Sequence, residues 1–181
     1  MKVIILDRDG VINHDSRNYI KSAEEWRPIA GSLEAIARLN QAGYRVVIAS
    51  NQSGIARGLF DMQALHTMHC KMDALLTPLG GHIEAVFYCP HAPWDRCSCR
   101  KPKPGLFKQI AKSLDIDLKV TPAVGDSLRD IQAALTVGAI PVLVRTGNGE
   151  KTLKSGLLPA GVLVFDDLAA VAAHFTACDC W

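Results

Sequence analysis

The chain has 181 residues, the length of one ordinary domain, and is long enough to bury a core of its own. Its 20 basic and 18 acidic residues leave a formal net charge of +2, and no run of like charges indicates a nucleic-acid or membrane surface. No apolar stretch approaches the about 20 residues that span a bilayer, and the first residues lack the long apolar core of a signal peptide. We therefore expect one cytoplasmic domain, residues 1–181, that binds a small molecule and, without heptad repeats, is a monomer.

Short apolar runs alternate with helical patterns along the chain. This alternation predicts parallel strands joined by crossover helices. The expected fold is a three-layer, Rossmann-like α/β domain with helices on both faces of the sheet and no large cap domain. The predicted strands cover residues 3–6, 44–50, 83–89, 121–126, 140–145 and 161–165.

Helices are predicted between these strands. The first begins at Ser32 as N-cap and stops at Gly43, and later ones cover 104–114, 127–137 and 166–176. In the segment 61–81, apolar residues recur at helical spacing and predict core packing, as does Cys70. The apolar residues of that segment are Met62, Leu65, Met68, Met72, Leu75 and Leu79.

Two carboxylates follow the first strand directly, in the sequence Asp7-Arg8-Asp9-Gly10. Open parallel sheets build their sites at such strand ends. One carboxylate could attack phosphorus while the other donates a proton to the leaving oxygen. The motif alone is short, and a solvated turn or a helix cap would explain it equally well.

A second acidic cluster, Asp126 with Asp130, follows a later strand and reaches the same sheet edge. Hard oxygen ligands suit magnesium, so the carboxylates of Asp7 and Asp126 with the backbone carbonyl of Asp9 predict a Mg²⁺ site. Asp130, one helical turn on, could reach the metal or a lysine, or could simply stabilise the first turn of its helix.

Two further segments offer groups for an anion. The second strand ends in Ser50, whose hydroxyl and the following turn amides suit a phosphate, although a polar turn is the alternative. Lys101, before a predicted helix, can balance phosphate charge, whereas for Lys103 we favour a solvated basic loop.

Three thiols and one imidazole, Cys89, His91, Cys97 and Cys99, lie within one short segment of a loop at 89–105. This set predicts a closed, tetrahedral, structural zinc site, and free thiols are the less favoured alternative. Near the end of the chain, Cys178 and Cys180 could bind metal, but we favour the interpretation that these thiols are incidental.

In this order, Asp-x-Asp-Gly, a strand-terminal Ser, a downstream Lys and Gly-Asp-Ser-x-x-Asp resemble the four motifs of the haloacid dehalogenase (HAD) superfamily of phosphatases. The resemblance implies that Asp7 attacks phosphorus and Asp9 acts as acid and base. It further implies that Ser50 and Lys101 stabilise the phosphoryl group and that Asp126 helps to hold magnesium.

The predicted zinc loop, which continues into CRKPKPG, resembles that of two groups of phosphatases, those acting on D-glycero-D-manno-heptose 1,7-bisphosphate and those acting on histidinol phosphate. The segments LDRDGVIN and SNQSGIARG resemble the heptose group more closely. That group implies loss of the 7-phosphate in bacterial ADP-heptose and lipopolysaccharide precursor synthesis. Anomer preference stays open, and Ser127 stands where some members carry a lysine. The implied substrate contacts are Asp15, Tyr19, Asn51, Gln52, Ser53, Arg100 and Ser127.

Two other functions remain open at this point. One is a phosphatase of the same build acting on histidinol phosphate or a nucleic-acid 3′-phosphate. The other, from a different class, is a noncatalytic, zinc-stabilised binding module. The presence of both Asp7 and Asp9 argues against the module, because binding alone needs no acid-base pair.

Overall fold

The computed structural model describes residues 2–177, which build a six-stranded sheet in which every neighbouring pair of strands is parallel. The strand order is β3-β2-β1-β4-β5-β6, with β1 in the interior. The strands are β1 (Lys2–Leu6), β2 (Tyr44–Asn51), β3 (Ala85–Cys89), β4 (Pro122–Gly125), β5 (Ile140–Val144) and β6 (Leu163–Phe165).

Helices cover both faces of this sheet. Buried residues of the first, second and sixth helices pack in one core cluster, and those of the third and fourth helices pack in another. The helices are α1 (Ser32–Gln41), α2 (Met62–Leu76), α3 (Gly105–Leu114), α4 (Leu128–Thr136), α5 (Gly149–Lys154) and α6 (Leu168–Thr176). The predicted three-layer α/β fold is confirmed, and no connection within residues 2–177 forms a large cap.

The central strand β1 shows why the sheet forms. Val3 and Ile5 face one core cluster and Ile4 and Leu6 face the other, all of them buried. A strand with apolar residues on both faces is stable only between two helical layers. β1 pairs with β2 on one side and β4 on the other, so the strand order reverses here and leaves a crevice beyond its carboxyl end.

The apolar stripe of α2 is narrower than the sequence predicted. Leu65, Met68 and Met72 are buried, but Met62 and Leu75 are 51% and 40% exposed. Leu79, 39% exposed, lies in the turn after α2. Residues at spacings of three and four spread around the helix, so only the centre of the stripe faces the sheet.

Two other local predictions were wrong. Cys70 is exposed, and its thiol lies 3.4 Å from Nε2 of His66. Ser32 does not cap α1, because Gly31 precedes the helix in a left-handed conformation and the Ser32 hydroxyl donates to the carbonyl of Ile12 at 2.6 Å.

Element ends differ from the predictions by a few residues, and α5 was not predicted. Its six residues, Gly149–Lys154, are too few to show helical periodicity. Among the described residues, no helix combines the length and the apolar character needed to cross a membrane. Cys178 and Cys180 lie outside the described residues.

Candidate active site

Asp7 lies at the carboxyl end of β1, where it is buried beside Lys101. Its Oδ1 accepts the backbone N–H of Arg8 at 2.7 Å, and its Oδ2 lies 3.2 Å from Nζ of Lys101. That ammonium also donates to the carbonyl of Ala49 at 2.7 Å and lies 2.6 Å from Oδ1 of Asp130. Lys101, predicted from sequence to balance phosphate charge, is therefore fixed between two carboxylates.

Negative charge in this crevice exceeds what one ammonium can balance. Burial raises the pKa of Asp7 to about 7, because the attraction of Lys101 is opposed by repulsion from Asp130, Asp126 and Asp9. Burial and repulsion from Asp130 likewise raise the pKa of Asp126 to about 6. The crevice therefore favours a bound cation.

Asp126 reaches the crevice because two glycines make room for its carboxylate. A Cβ on either Gly10 or Gly147, both at positive φ, would overlap this carboxylate. From the following segment, Asn148 donates its backbone N–H and its side-chain amide to Oδ2 of Asp126, at 2.7 and 3.1 Å. Sequence reasoning missed Asn148, because it lies well beyond the acidic motif and belongs to no motif of its own.

The ligand atoms of Asp7, Asp126 and Asp130 all lie within 4.8 Å of one another. A set of carboxylate oxygens suits magnesium, and the raised pKa values of Asp7 and Asp126 indicate the missing positive charge, so the residues fit the predicted ion. Asp130 is already engaged, because it pairs with Lys101 and accepts from the backbone N–H of Ser127 at 3.0 Å.

Asp9 is held by three side chains. Arg8 donates to both of its carboxylate oxygens, Asn13 donates to Oδ1 at 2.8 Å, and Gln52 donates to Oδ2 at 2.8 Å. Burial works to raise the pKa of Asp9, but the charge of Arg8 and the three hydrogen-bonding neighbours lower it below its usual value. This arrangement therefore holds Asp9 in its anionic form.

A cleft of about 180 Å³ opens above these carboxylates. It contains six predicted substrate contacts, but not Ser127, whose hydroxyl donates to Asp130 instead. Sequence reasoning did not single out Arg129 or Ile20, because neither belongs to a motif position. The cleft is lined by Asp7, Asp9, Asp15, Ser16, Tyr19, Ile20, Asn51, Gln52, Ser53, Arg100 and Arg129.

The end of β2 and the turn after it mainly hold other residues of the site in place. Both polar ends of the Asn51 amide bind the backbone of Lys101, each at 3.0 Å. Gln52 donates to the hydroxyl of Ser50 at 2.8 Å as well as to Asp9. Asn51 and Gln52 therefore hold the lysine and the acidic residue in place, while Ser53 lines the cleft.

Two arginines give one side of the cleft a positive charge. Arg100 donates to the carbonyl of His91 at 3.3 Å, and Arg129 extends from the first turn of α4. Burial lowers the pKa of Arg100, and repulsion from Arg129 lowers it further, so the two guanidinium groups lie close enough to interact. Such a pair suits an anion with several oxygens.

The loop after β3 brings Cys89, His91, Cys97 and Cys99 together as a possible metal site. The Sγ of Cys89 lies 3.6 Å from that of Cys97, 3.1 Å from that of Cys99 and 3.5 Å from Nδ1 of His91. Burial works to raise the pKa of Cys97, but hydrogen bonds from the Arg100 backbone and the neighbouring thiols lower it to about 7. A thiolate is the form that binds metal.

Comparison with known proteins agrees with this geometry. The HAD-hydrolase-like family matches residues 98–171. A D-glycero-beta-D-manno-heptose-1,7-bisphosphate 7-phosphatase of Bordetella bronchiseptica is 58% identical over 172 residues, covering 95% of this chain and 96% of the relative. The chain belongs to the heptose-bisphosphate phosphatase family of the HAD-like hydrolases.

Solved structures of this phosphatase family support the fold and the magnesium fit. The crystal structure of D,D-heptose 1,7-bisphosphate phosphatase from B. bronchiseptica, complexed with magnesium and phosphate, matches 98% of this chain and 99% of its own, with 56% identity and a TM-score of 0.96. The Burkholderia thailandensis phosphatase matches 97% of this chain and 98% of its own, with 50% identity and a TM-score of 0.78. These relatives confirm an enzyme and exclude the noncatalytic module.

Proposed function

We propose that this phosphatase removes the 7-phosphate of D-glycero-β-D-manno-heptose 1,7-bisphosphate and leaves the 1-phosphate on the sugar. The names of relatives more than half identical to it support the substrate and the β anomer. We propose that the product enters the bacterial route to ADP-heptose and lipopolysaccharide precursors and that the enzyme works in the cytoplasm, where such a biosynthetic step would occur. We propose that it acts there as a monomer and as one domain.

Asp7 is the proposed nucleophile. Its Oδ2 attacks the phosphorus of the 7-phosphate, the bond from phosphorus to the sugar oxygen breaks, and a phospho-aspartate forms. Lys101, 3.2 Å from this oxygen, balances charge on the transferring group, and the hydroxyl of Ser50 donates to it. Water then attacks phosphorus, which releases inorganic phosphate and restores Asp7.

Asp9 is the proposed acid and base. It gives a proton to the leaving sugar oxygen in the first step and takes one from the attacking water in the second. Its anionic resting state, held by Arg8 and Gln52, suits the second step directly. For the first step the carboxylate must be protonated and turn from Arg8 towards the substrate.

Magnesium would be held by the carboxylates of Asp7 and Asp126 and by the backbone carbonyl of Asp9. When bound, the ion supplies positive charge that reduces repulsion between the phosphate and Asp7. Asp130 supports the site indirectly, because it keeps Lys101 charged and in place.

The remaining phosphate of the substrate would bind Arg100 and Arg129. Both line the same cleft as Asp7, and their mutual repulsion is relieved when an anion binds between them. The sugar hydroxyls would contact Asp15, Tyr19 and Ser53, which line the rest of the cleft.

Zinc is the ion that we propose for Cys89, His91, Cys97 and Cys99. Zn–S bonds of about 2.3 Å place the sulfur atoms of a tetrahedral site roughly 3.8 Å apart, near the separation of Cys89 and Cys97. Four protein ligands leave no position for water, so the ion would fold the loop and take no part in hydrolysis.

The observation that carries the proposal is Asp7, buried with Lys101 and Asp126 below a cleft that two arginines line. The test is magnesium-dependent phosphate release from both anomers of heptose 1,7-bisphosphate, with histidinol phosphate and a DNA 3′-phosphate alongside. ³¹P NMR of the product shows which phosphate was lost.

We expect release from position 7 of the β anomer and none from the Asp7→Asn variant, which should keep the wild-type fold by circular dichroism. A preference for histidinol phosphate would overturn the proposed substrate but not the proposed mechanism. Near-normal activity of Asp7→Asn would refute the mechanism itself.

A further inference from the structure

Three loops around the cleft meet at one arginine, Arg57. The Cζ of its guanidinium lies 5.7 Å from the ring centroid of Tyr19 and 4.6 Å from that of Trp94. Both distances are shorter than about 6 Å, the limit within which an aromatic face attracts a cation. Tyr19 follows β1, and Arg57 follows β2. Trp94 belongs to the loop at 89–105 that carries the proposed zinc ligands, called the metal-binding loop below, so the Arg57 side chain connects all three loops.

Tyr19 is the member of this group that faces the cleft. Its backbone has φ 65°, a left-handed conformation that is unfavourable for an aromatic residue. Such strain persists only where neighbouring contacts hold the residue, and it is concentrated at functional sites. The backbone N–H of Tyr19 closes a turn to the carbonyl of Ser16 at 3.1 Å, and Arg57 holds its ring.

Trp94 is 62% exposed, on a short turn between the metal-ligand residues His91 and Cys97. An exposed tryptophan is costly in water, and the ring contact that the structure gives it is Arg57. The backbone N–H of Ala56 donates to the carbonyl of Pro90 at 3.2 Å, which keeps the two loops in register.

Arg57 does not line the cleft and, within the described residues, pairs with no carboxylate. Its contacts are therefore directed at the two rings and not at the reacting phosphate. We propose that Arg57 is a positioning residue: it contacts Trp94 on the metal-binding loop and holds the ring of Tyr19 in place at the cleft. Through this contact, the metal-binding loop helps to select the substrate.

This inference rests on the proposed function and adds a specificity determinant to it. A phosphorylated sugar long enough to reach Tyr19 gains from the positioned ring. A short phosphomonoester that occupies only the floor at Asp7 gains nothing. The arrangement thus favours extended sugar phosphates through KM and leaves the chemical step unchanged.

The test compares Arg57→Ala with Arg17→Ala, which removes an exposed arginine from the Tyr19 loop. We expect Arg57→Ala to raise KM for the heptose bisphosphate roughly fivefold to tenfold, as the loss of two exposed cation–π contacts predicts. Its kcat for the bisphosphate and its kcat/KM for p-nitrophenyl phosphate should stay near wild type, and Arg17→Ala should change neither substrate. Trp94→Leu should reproduce the effect of Arg57→Ala.

A double variant decides whether Arg57 acts through Tyr19. If it does, Arg57→Ala combined with Tyr19→Leu has a KM no higher than Tyr19→Leu alone. Additive effects, or an unchanged KM in Arg57→Ala, would overturn the inference. Failure of the proposed function is a separate result: the wild-type enzyme would then prefer another sugar phosphate. In that case the same variants are compared on that substrate.

Discussion

The guanidinium of Arg8 binds both oxygens of the Asp9 carboxylate, with Nη2 2.9 Å from Oδ1 and 3.0 Å from Oδ2. The Arg8 side chain is fully buried, and the carboxylate is 21% exposed. The residue between the proposed nucleophile and the proposed acid is therefore a structural partner of the acid, a role that the motif Asp-x-Asp does not disclose.

Replacing Arg8 by Met should destabilise the protein by about 3 kcal/mol, because Asp9 loses its main partner in a largely buried position. Met is close in size and would lie beside Met68, which Arg8 now contacts at 3.7 Å. Chemical unfolding monitored by circular dichroism measures the change. Arg45→Met is the matched control, since the exposed Arg45–Glu84 pair should contribute less than about 1 kcal/mol. Equal losses in the two variants would contradict the role given to Arg8.

Asp9→Asn should lower kcat for the heptose bisphosphate by about 10²–10⁴, the usual contribution of general acid–base catalysis. The sugar alkoxide is a poor leaving group, whereas p-nitrophenolate leaves without a proton. The Asp9→Asn variant should therefore lose much less rate in the first step with p-nitrophenyl phosphate. That rate is measured from the burst of p-nitrophenol that appears before inorganic phosphate is released. An equal loss for both substrates would assign the acid role to another group.

Magnesium should stabilise the protein more as pH rises. The pKa values of Asp7 and Asp126, about 7 and about 6, are raised above the ordinary value of 3.8. These two carboxyl groups thus bind more protons in the folded, metal-free protein than in the unfolded chain, and their contribution to stability should fall from about pH 4 to about pH 7. Because protons compete with the ion, the increase in Tm on adding MgCl₂ should be small near pH 5 and larger near pH 7.5.

Asp126→Asn is the variant that checks this assignment. It removes one proposed ligand and one of the two raised pKa values, so the increase in Tm with MgCl₂ should shrink at every pH. An undiminished increase would place the ion elsewhere.

About one zinc ion per chain should be found by metal analysis, and removing it with a chelator should lower Tm. Cys97→Ser should reduce the zinc content, while Cys70→Ser, at an exposed thiol on α2, should leave it unchanged. A stable protein free of zinc would show that the loop folds through its own hydrogen bonds.

The sequence was sufficient for the fold and for the residues at the strand ends. Asp7, Asp126 and Lys101 could be predicted to converge because carboxyl ends of parallel strands share one edge, and the structure brings them within contact distance. Their catalytic roles stay predictions. The apolar runs likewise predicted the strands. The interior strands β1 and β4 are almost entirely buried, whereas the edge strands β3 and β6 are largely half-buried.

Contacts made by side chains outside these motifs could not be predicted. Asn148 binds Asp126 from the segment after β5, and Arg129 reaches the cleft from the exposed side of a helix whose inner side is buried. Ser127 shows the converse, because its motif position suggested a substrate contact and its hydroxyl donates to Asp130. No periodicity or spacing distinguishes these outcomes before the chain is folded.

Lys101 lies only two residues after Cys99. The side-chain amide of Asn51 binds both its backbone N–H and its backbone carbonyl. For enzyme engineering this divides the loop at 89–105 into two parts. Residues 92–96, between His91 and Cys97, can be exchanged or lengthened to reshape selectivity. An insertion between Cys99 and Lys101 would displace the ammonium group from Asp7 and cost turnover on every substrate, so libraries should leave that junction intact.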